Sequence, residues 1–284
     1  MALFGRKQYS SVQVKKRDVP NGLWLKCPAC NEVIYKNALK EAIYVCPKCE
    51  HHFPLKREDR LKLLVDEGTF TEWDADLFSV DRLKFQGKES YEQKLEKNVE
   101  KTGCNDAILC GEGRISSIST AIGIMDFSFL GASMGAVVGE KVTRLFERAL
   151  EKRLPVLISS ASGGARMYEG IFSLMQMAKT SGAIARHSEA GLPYISLLTH
   201  PTTAGVMASY ASLGDVIVAE PRALIGFAGP RVIKETTQQD LPPGFQRSEF
   251  LLKHGLLDMV VPRNELRERI ASLLRYMGTT DESA

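Results

Sequence analysis

From Ala107 onward, short apolar runs alternate with stretches of helical spacing; before it, apolar residues are scattered among charges. Pro155-Val156-Leu157-Ile158 is a continuous apolar run of the kind that forms a fully buried strand. It passes through the small residues Ser159 to Ala165, with the pair Gly163-Gly164, into Ile171–Ala190. There Ile171, Leu174, Met175 and Ala178 recur at helical spacing and predict a helix. The same device returns about forty residues on: Pro193–Leu198 as strand, Thr199–Gly205 as turn, Val206–Leu213 as short helix. Ala107–Cys110, Arg114–Ser119 and Ala121–Phe127 read as successive strands, and Val142, Leu145, Phe146, Ala149 and Leu150 mark one face of a helix after Gly139. A strand near Val216 and helices over Ser248–His254 and Asn264–Met277 close the chain. This alternation predicts an α/β core.

The first hundred residues give fewer elements. Arg57–Asp66 reads as a helix stopped at Gly68. Ser90 and Gln93 form a capping box that opens a charged helix to Thr102, with Gly103 as its stop. That helix has little apolar face and is expected on the surface.

A length of 284 residues suits one large domain or a domain with a small appendage, and 44% hydrophobic with 25% charged residues is ordinary for a globular protein. No apolar run approaches the ~18 residues of a membrane span. The first residues, MALFGRKQYSSVQVKKR, lack the apolar centre of a secretory signal, so a cytoplasmic location is expected. The net charge of +3 is uneven: residues 1–60 hold 12 Lys and Arg against 6 Asp and Glu, and the rest is net acidic. A basic N-terminal module suits nucleic acid or another phosphate-bearing ligand, or is simply a solvated face.

Within that module, Cys27-Pro-Ala-Cys30 and Cys46-Pro-Lys-Cys49 are separated by fifteen residues. Two such knuckles bring four thiolates to one tetrahedral centre, the pattern of a structural zinc site with no open position for chemistry. Two disulfides are the rival reading, disfavoured in a chain without a secretory signal. Glu32–Tyr35 and Ala42–Val45 are the expected strands of a zinc ribbon. Cys104 and Cys110 are expected to be ordinary reduced thiols.

Strand, glycine turn and helix together aim backbone N–H groups at an anion. Two such turns side by side can hold an oxyanion developing on a thioester or other carbonyl; the alternative is that small residues only let helix and strand pack closely. Gly131-Ala-Ser133-Met-Gly135 fits the G-x-S-x-G nucleophile elbow, which leaves a serine hydrolase using Ser133 as a competing class. Gly135 and Gly139, followed by Glu140-Lys141, miss the phosphate-binding loop by spacing and by the absence of Gly-Lys.

The ribbon at Cys27–Cys49, followed by Ser160-Ala-Ser-Gly-Gly-Ala-Arg-Met167, Leu174-Met-Gln-Met-Ala-Lys179, Ala223–Arg231 and Pro243-Gly-Phe-Gln246, resembles the β subunits of bacterial and plastid-type acetyl-CoA carboxylase carboxyltransferases. The resemblance covers nearly all of the chain except its first twenty and last few residues. It implies a crotonase-like fold of repeated ββα units with an N-terminal four-cysteine zinc ribbon, divided as a lead-in over 1–22, the ribbon over 23–56 and a carboxyltransferase domain over 57–284. It also implies transfer of a carboxyl group from carboxybiotin, carried on a separate protein, to acetyl-CoA, giving malonyl-CoA. The implied partners are a carboxyltransferase α subunit in an α2β2 assembly, the biotin carboxyl carrier protein and biotin carboxylase. By analogy, Gly163, Gly164, Ala204 and Gly205 supply oxyanion donors. Arg166 is placed to hold a carboxylate or phosphate, with Arg231 and Arg247 as further candidates for CoA phosphates. No hydroxyl nucleophile is needed on this reading, so Ser133 and Ser162 are expected to be dispensable for turnover, apart from packing losses.

Where the family pattern reads Asp-Pro-Thr-Thr-Gly-Gly, this chain has His200-Pro-Thr-Thr-Ala204-Gly205. Alanine is unfavourable at positive φ, so Ala204 is expected in an ordinary backbone region. A zinc-ribbon nucleic-acid-binding protein is the other competing class, and a secondary nucleic-acid contact through the ribbon stays open. Such a module does not account for residues 107–277.

Overall fold

The computed structural model describes residues 23–279, apart from the side chains of Pro230 and Arg231; the lead-in expected over 1–22 lies outside the described residues. Strand β1 (Trp24–Lys26) pairs antiparallel with β2 (Val33–Tyr35). The strand expected over Ala42–Val45 does not form. Lys36–Glu41 coils into α1, Ile43 and Tyr44 turn at φ 52° and 56°, and only Val45 makes a bridge, to His52. Two consecutive left-handed residues break any extended run. Cys27, Ile34, Leu39, Cys46 and Phe53 form a small core of their own, too few residues to hold a fold without a metal or cross-link.

Helix α2 (Arg57–Leu64) and the short β3 (Thr71–Trp73) lead to α3 (Tyr91–Thr102). The capping box is present: Ser90 Oγ accepts from the Gln93 N–H at 3.2 Å, Gln93 Oε1 accepts from the Ser90 N–H at 3.4 Å, and Gly103 closes the helix at φ 68°. Contrary to the surface expectation, α3 buries Tyr91 and Leu95.

In place of three short strands, residues 108–125 form one long hairpin, β4 (Ile108–Ile115) and β5 (Ile118–Met125). Ser116 and Ser117 turn it at φ 49° and 70°, the sense that matches strand twist, and the Asp66 carboxylate accepts both of their N–H groups. Gly111 lies inside β4, opposite Glu72 of the neighbouring β3, where a Cβ would fall 2.3 Å from the Thr71 carbonyl oxygen.

The remaining elements follow the expected alternation: α4 (Ala136–Lys152), β6 (Val156–Ser162), α5 (Ile171–Glu189), β7 (Tyr194–Thr203), α6 (Ala204–Met207) and β8 (Val216–Ala219). Then come β9 (Ile225–Gly226), α7 (Pro230–Thr237), α8 (Ser248–Lys253), β10 (Met259–Val260) and α9 (Leu266–Tyr276). The main sheet runs β10-β8-β7-β6-β5-β4-β3, with β9 beside the end of β7. It is antiparallel from β3 to β5 and parallel from β5 through β10. Val156 and Ile158 of β6 pack into the core shared with Val142 and Phe146 of α4, while Leu157 points to the opposite core with Leu64 of α2 and Ile270 of α9. With both faces covered, the parallel strands begin with residues that are apolar on both sides, which is why Val156–Ile158 and Val216–Ala219 read as continuous runs.

Candidate active site

Strands β6 and β7 pair in register from Val156 opposite Tyr194 to Ser160 opposite Leu198, then resume at Ser162 opposite Thr202. Residues 199–201 therefore bulge out of β7, and the hydroxyls of Thr199 and Thr202 donate to the Ser160 carbonyl at 2.8 and 3.0 Å. The bulge carries His200, joined to Pro201 by a cis peptide. His200 Nδ1 accepts from the Leu224 N–H at 3.1 Å, and burial, reinforced by Arg247, lowers its pKa. As the acceptor of that N–H, Nδ1 carries no proton.

Beyond the bulge, the two predicted turns meet. A Cβ built on Gly164, which sits at φ 116°, would lie 2.5 Å from the Ala204 Cβ and 3.5 Å from the Gly205 nitrogen. Ala204 itself adopts φ 50°, not the ordinary region expected of it; the contact with Gly164 and the end of β7 hold it in a conformation that costs an L-residue ~1 kcal/mol.

Two expected donors are already engaged. The Gly163 N–H donates to the Gly131 carbonyl at 2.9 Å and the Gly164 N–H to Ser162 Oγ at 3.0 Å. Among the described residues the Ala165 N–H has no hydrogen-bond partner, Gly205 is the second residue of α6, where a helix leaves its N–H without an intrahelical acceptor, and a Cβ on Gly205 would lie 3.5 Å from the Ala165 nitrogen. These two N–H groups flank the contact; nothing in the residue type of Ala165 marks it as a donor, because only the fold brings it beside Gly205.

Arg166 is fully buried, which corrects the expectation that it meets a ligand. Its Nη2 donates to Asp106 Oδ1 at 2.6 Å and to the Ser133 carbonyl at 2.8 Å, and Nη1 donates to Ser79 Oγ at 2.9 Å and to the Tyr91 hydroxyl at 3.1 Å. Burial pulls the guanidinium pKa down, but Asp106 overrides it and the net shift is upward. Beside it, Glu169 accepts from the Tyr91 hydroxyl and caps the start of α4 by accepting the Ala136 N–H at 2.6 Å. Arg166 thus ties its own turn to α3 and to the Gly131–Gly135 loop. Asp106, Tyr91 and Ser79 lie 60 to 87 positions from it, so no local pattern announces them.

Ser133, the candidate elbow nucleophile, has extended backbone (φ −66°, ψ 134°) and its Oγ accepts from Arg166 Nε at 3.2 Å. An elbow serine sits on the strained turn itself and faces a histidine base; here the residues at positive φ are Leu130 to Ala132, before the serine, and among the described residues Ser133 Oγ pairs with Arg166 and with no histidine.

The four predicted metal ligands converge: the sulfurs of Cys27, Cys30, Cys46 and Cys49 all lie within 4.8 Å of one another. Cys27–Cys49 and Cys30–Cys46 are 3.7 and 3.8 Å apart. A tetrahedron with metal–sulfur bonds of ~2.3 Å has edges of this size, whereas a disulfide would need ~2.05 Å. Each knuckle ends in a left-handed residue, Asn31 or Glu50, whose N–H donates back to the first cysteine's carbonyl at 2.9 Å. The residues fit a structural zinc.

Charged contacts fasten the ribbon to the core. Arg222 Nη1 donates to the Cys49 carbonyl at 2.8 Å, and Arg263 Nη1 to the carbonyls of Ile43 and Tyr44 at 3.1 and 3.2 Å. Arg263 and Arg60 share the buried Glu220 carboxylate, whose pKa they drive well below the ordinary range despite burial. Arg247 is exposed at this seam and donates to the Arg222 carbonyl at 3.0 Å. The side chain of Arg231 lies outside the described residues.

Helix α5 is inverted. Its first turns bury Ser173, Gln176 and Thr180 and expose Ile171, Phe172, Leu174, Met175 and Ala178. The apolar stripe that predicts the helix therefore faces outward, next to an 85% exposed Met167.

The fold and the paired turns define a carboxyl transferase: the family model described as the carboxyl transferase domain matches residues 58–243. A transcarboxylase 12S solved with methylmalonyl-coenzyme A and methylmalonic acid bound is 29% identical, with a TM-score of 0.64, over 77% of this chain and 41% of that one. The Pseudomonas malonate decarboxylase MdcD-MdcE hetero-dimer shares the crotonase-like fold, at 19% identity and a TM-score of 0.60 over 78% of this chain and 86% of that one. The acetyl-CoA carboxylase zinc finger domain matches residues 24–49.

This chain belongs to the acetyl-CoA carboxylase carboxyl transferase subunit beta family. The family member of Methylacidiphilum infernorum is 57% identical over 93% of this chain and 95% of its own length. That of Citrifermentans bemidjiense is 56% identical over 91% and 92%. Among the described residues, no helix is long and apolar enough to cross a membrane.

Proposed function

We propose that this chain supplies the acyl-CoA half of a carboxyltransferase site, where a carboxyl group passes from carboxybiotin on a separate carrier protein to acetyl-CoA, giving malonyl-CoA. The observation that carries this reading is the contact of Gly164 with Ala204, flanked by the N–H groups of Ala165 and Gly205. Loss of a proton from the acetyl methyl leaves an enolate whose charge rests on the thioester oxygen, and preorganised N–H donors stabilise that charge. Ala165 and Gly205 are the donors on this reading; Gly163, Gly164 and Ala204 shape the turns that present them. Carboxybiotin supplies the carboxyl group as its C–N bond breaks, and the freed biotin takes up the methyl proton, so no protein base is required.

The exposed apolar face of α5 is where we place the carboxyltransferase α subunit, a chain of similar fold that brings the biotin half in an α2β2 assembly. An outward stripe of Ile171, Phe172, Leu174 and Met175 is larger than a solvated helix tolerates and marks an interaction surface. The biotin carboxyl carrier protein and biotin carboxylase complete the enzyme.

The test is reconstitution with the α subunit, followed by malonyl-CoA formation. Gly205→Pro removes one donor at the second position of α6, where proline is tolerated, and turnover should fall about 10²–10³-fold. Gly205→Ala brings the same first carbon but keeps the N–H and should be far milder. Equal losses in the two variants would remove Gly205 from the oxyanion site.

A further inference from the structure

On the reading of the reaction given above, we infer that the seam between ribbon and core is the seat of the CoA phosphates, which makes the ribbon part of the substrate site. A cavity of about 450 Å³ opens there, between Pro28 and His51 on the ribbon side and His200, Arg222 and Arg247 on the core side. Glu220 also lines it, but its charge is matched by Arg60 and Arg263. Arg222 and Arg247 are exposed, each spends one N–H on a backbone carbonyl, and among the described residues neither pairs with a carboxylate. The rest of each guanidinium fork is available to a ligand, and the fork is the shape that phosphate oxygens accept. Such a cavity, with cationic walls and its one carboxylate already neutralised, favours an anion.

Position decides which anion. His200 stands on the β7 bulge, four residues before Ala204 and five before Gly205. The cavity therefore lies within four residues of chain, at most ~14 Å, of the turn that holds the thioester, a span that the pantetheine arm of an acyl-CoA can bridge. Arg222 also grips the carbonyl of a zinc ligand, so a role as counter-charge to the metal centre is the competing account, and zinc content separates the two.

The experiment compares acetyl-CoA with acetyl-pantetheine, which has the same thioester and none of the nucleotide phosphates, in the reconstituted complex. For Arg222→Gln and Arg247→Gln, the ratio of kcat/KM for acetyl-CoA to that for acetyl-pantetheine should fall about 10-fold each, the size of one charge-assisted hydrogen bond. The fall should appear in KM, with zinc retained, and Arg247→Lys should recover part of it. An unchanged ratio, or a fall that tracks zinc loss, overturns the proposal. A single-stranded oligonucleotide whose steeply salt-dependent binding is lost in both variants, while the ratio stays fixed, reassigns the cavity to nucleic acid and also overturns it. No turnover of either substrate by the wild-type complex overturns the reaction itself and this role with it.

Discussion

A Cβ on Gly164 would fall 2.5 Å from the Cβ of Ala204, so the two turns touch only because one of the pair is glycine. Gly164→Ala should both overlap Ala204 and strain the backbone at φ 116°, destabilising the fold by at least ~2 kcal/mol. Urea unfolding checks this, and an unchanged midpoint would mean that the turns are not in firm contact.

Ser162 is not needed as a nucleophile, but its hydroxyl holds the first turn together. Its Oγ accepts the Gly164 N–H at 3.0 Å and donates to the Ala132 carbonyl at 2.6 Å. Ser162→Ala leaves both buried groups unpaired and should cost ~1–3 kcal/mol. Ser133→Ala gives up one longer bond to Arg166 and should cost less. Equal unfolding midpoints for the two variants would contradict this ordering.

Asp106→Asn should be among the most damaging single changes, because it removes the nearer of the two carboxylates that face the buried Arg166 guanidinium and leaves only Glu169, at 3.4 Å; breaking such a pair costs ~3–5 kcal/mol. Burial alone would raise the Asp106 pKa, but Arg166 holds it below the ordinary value. The pair's contribution is therefore complete above the unfolded pKa of about 3.9 and is lost as pH falls through the lower folded value. Stability measured at pH 7 and pH 3 should converge between wild type and variant at the acid end.

His187 gives a milder acid sensitivity. It is buried against Phe146, its Nε2 lies 3.0 Å from the Leu154 carbonyl, and burial lowers its pKa. Below the unfolded value of about 6.5 the unfolded chain binds the proton that the folded one refuses, so stability falls as pH drops through that window. His187→Gln should flatten part of the slope between pH 7 and 5; an identical slope would show that His187 does not contribute.

Zinc removal should unfold the ribbon, since five residues make its whole core and two of them are ligands. One zinc per chain is expected, lost in Cys46→Ala. Because Arg222 and Arg263 grip ribbon carbonyls, chelation should also expose residues 220–222 to hydrogen exchange. Unchanged exchange there would show that the seam does not depend on the folded ribbon.

Local physics made much of this protein legible from its residues. Four cysteines in two knuckles specify a metal through spacing alone, a capping box fixes the start of α3, and apolar runs between helical stretches give a parallel sheet covered on both sides. The order strand, turn, helix, twice over, located both turns of the candidate site. What the sequence alone did not determine depends on partners distant along the chain. Helical periodicity says that α5 has an apolar stripe but not which way it faces; packing of Ser173, Gln176 and Thr180 against the core turned that stripe outward. The glycines of the first turn mark where backbone comes close, yet Gly131 and Ser162 take up two of its N–H groups. Arg166 looks like an anion ligand in sequence; Asp106, 60 residues away, takes its charge into the interior. Tertiary contact decided these cases, because a donor or a charge has no fixed role until the fold has settled which acceptor lies beside it.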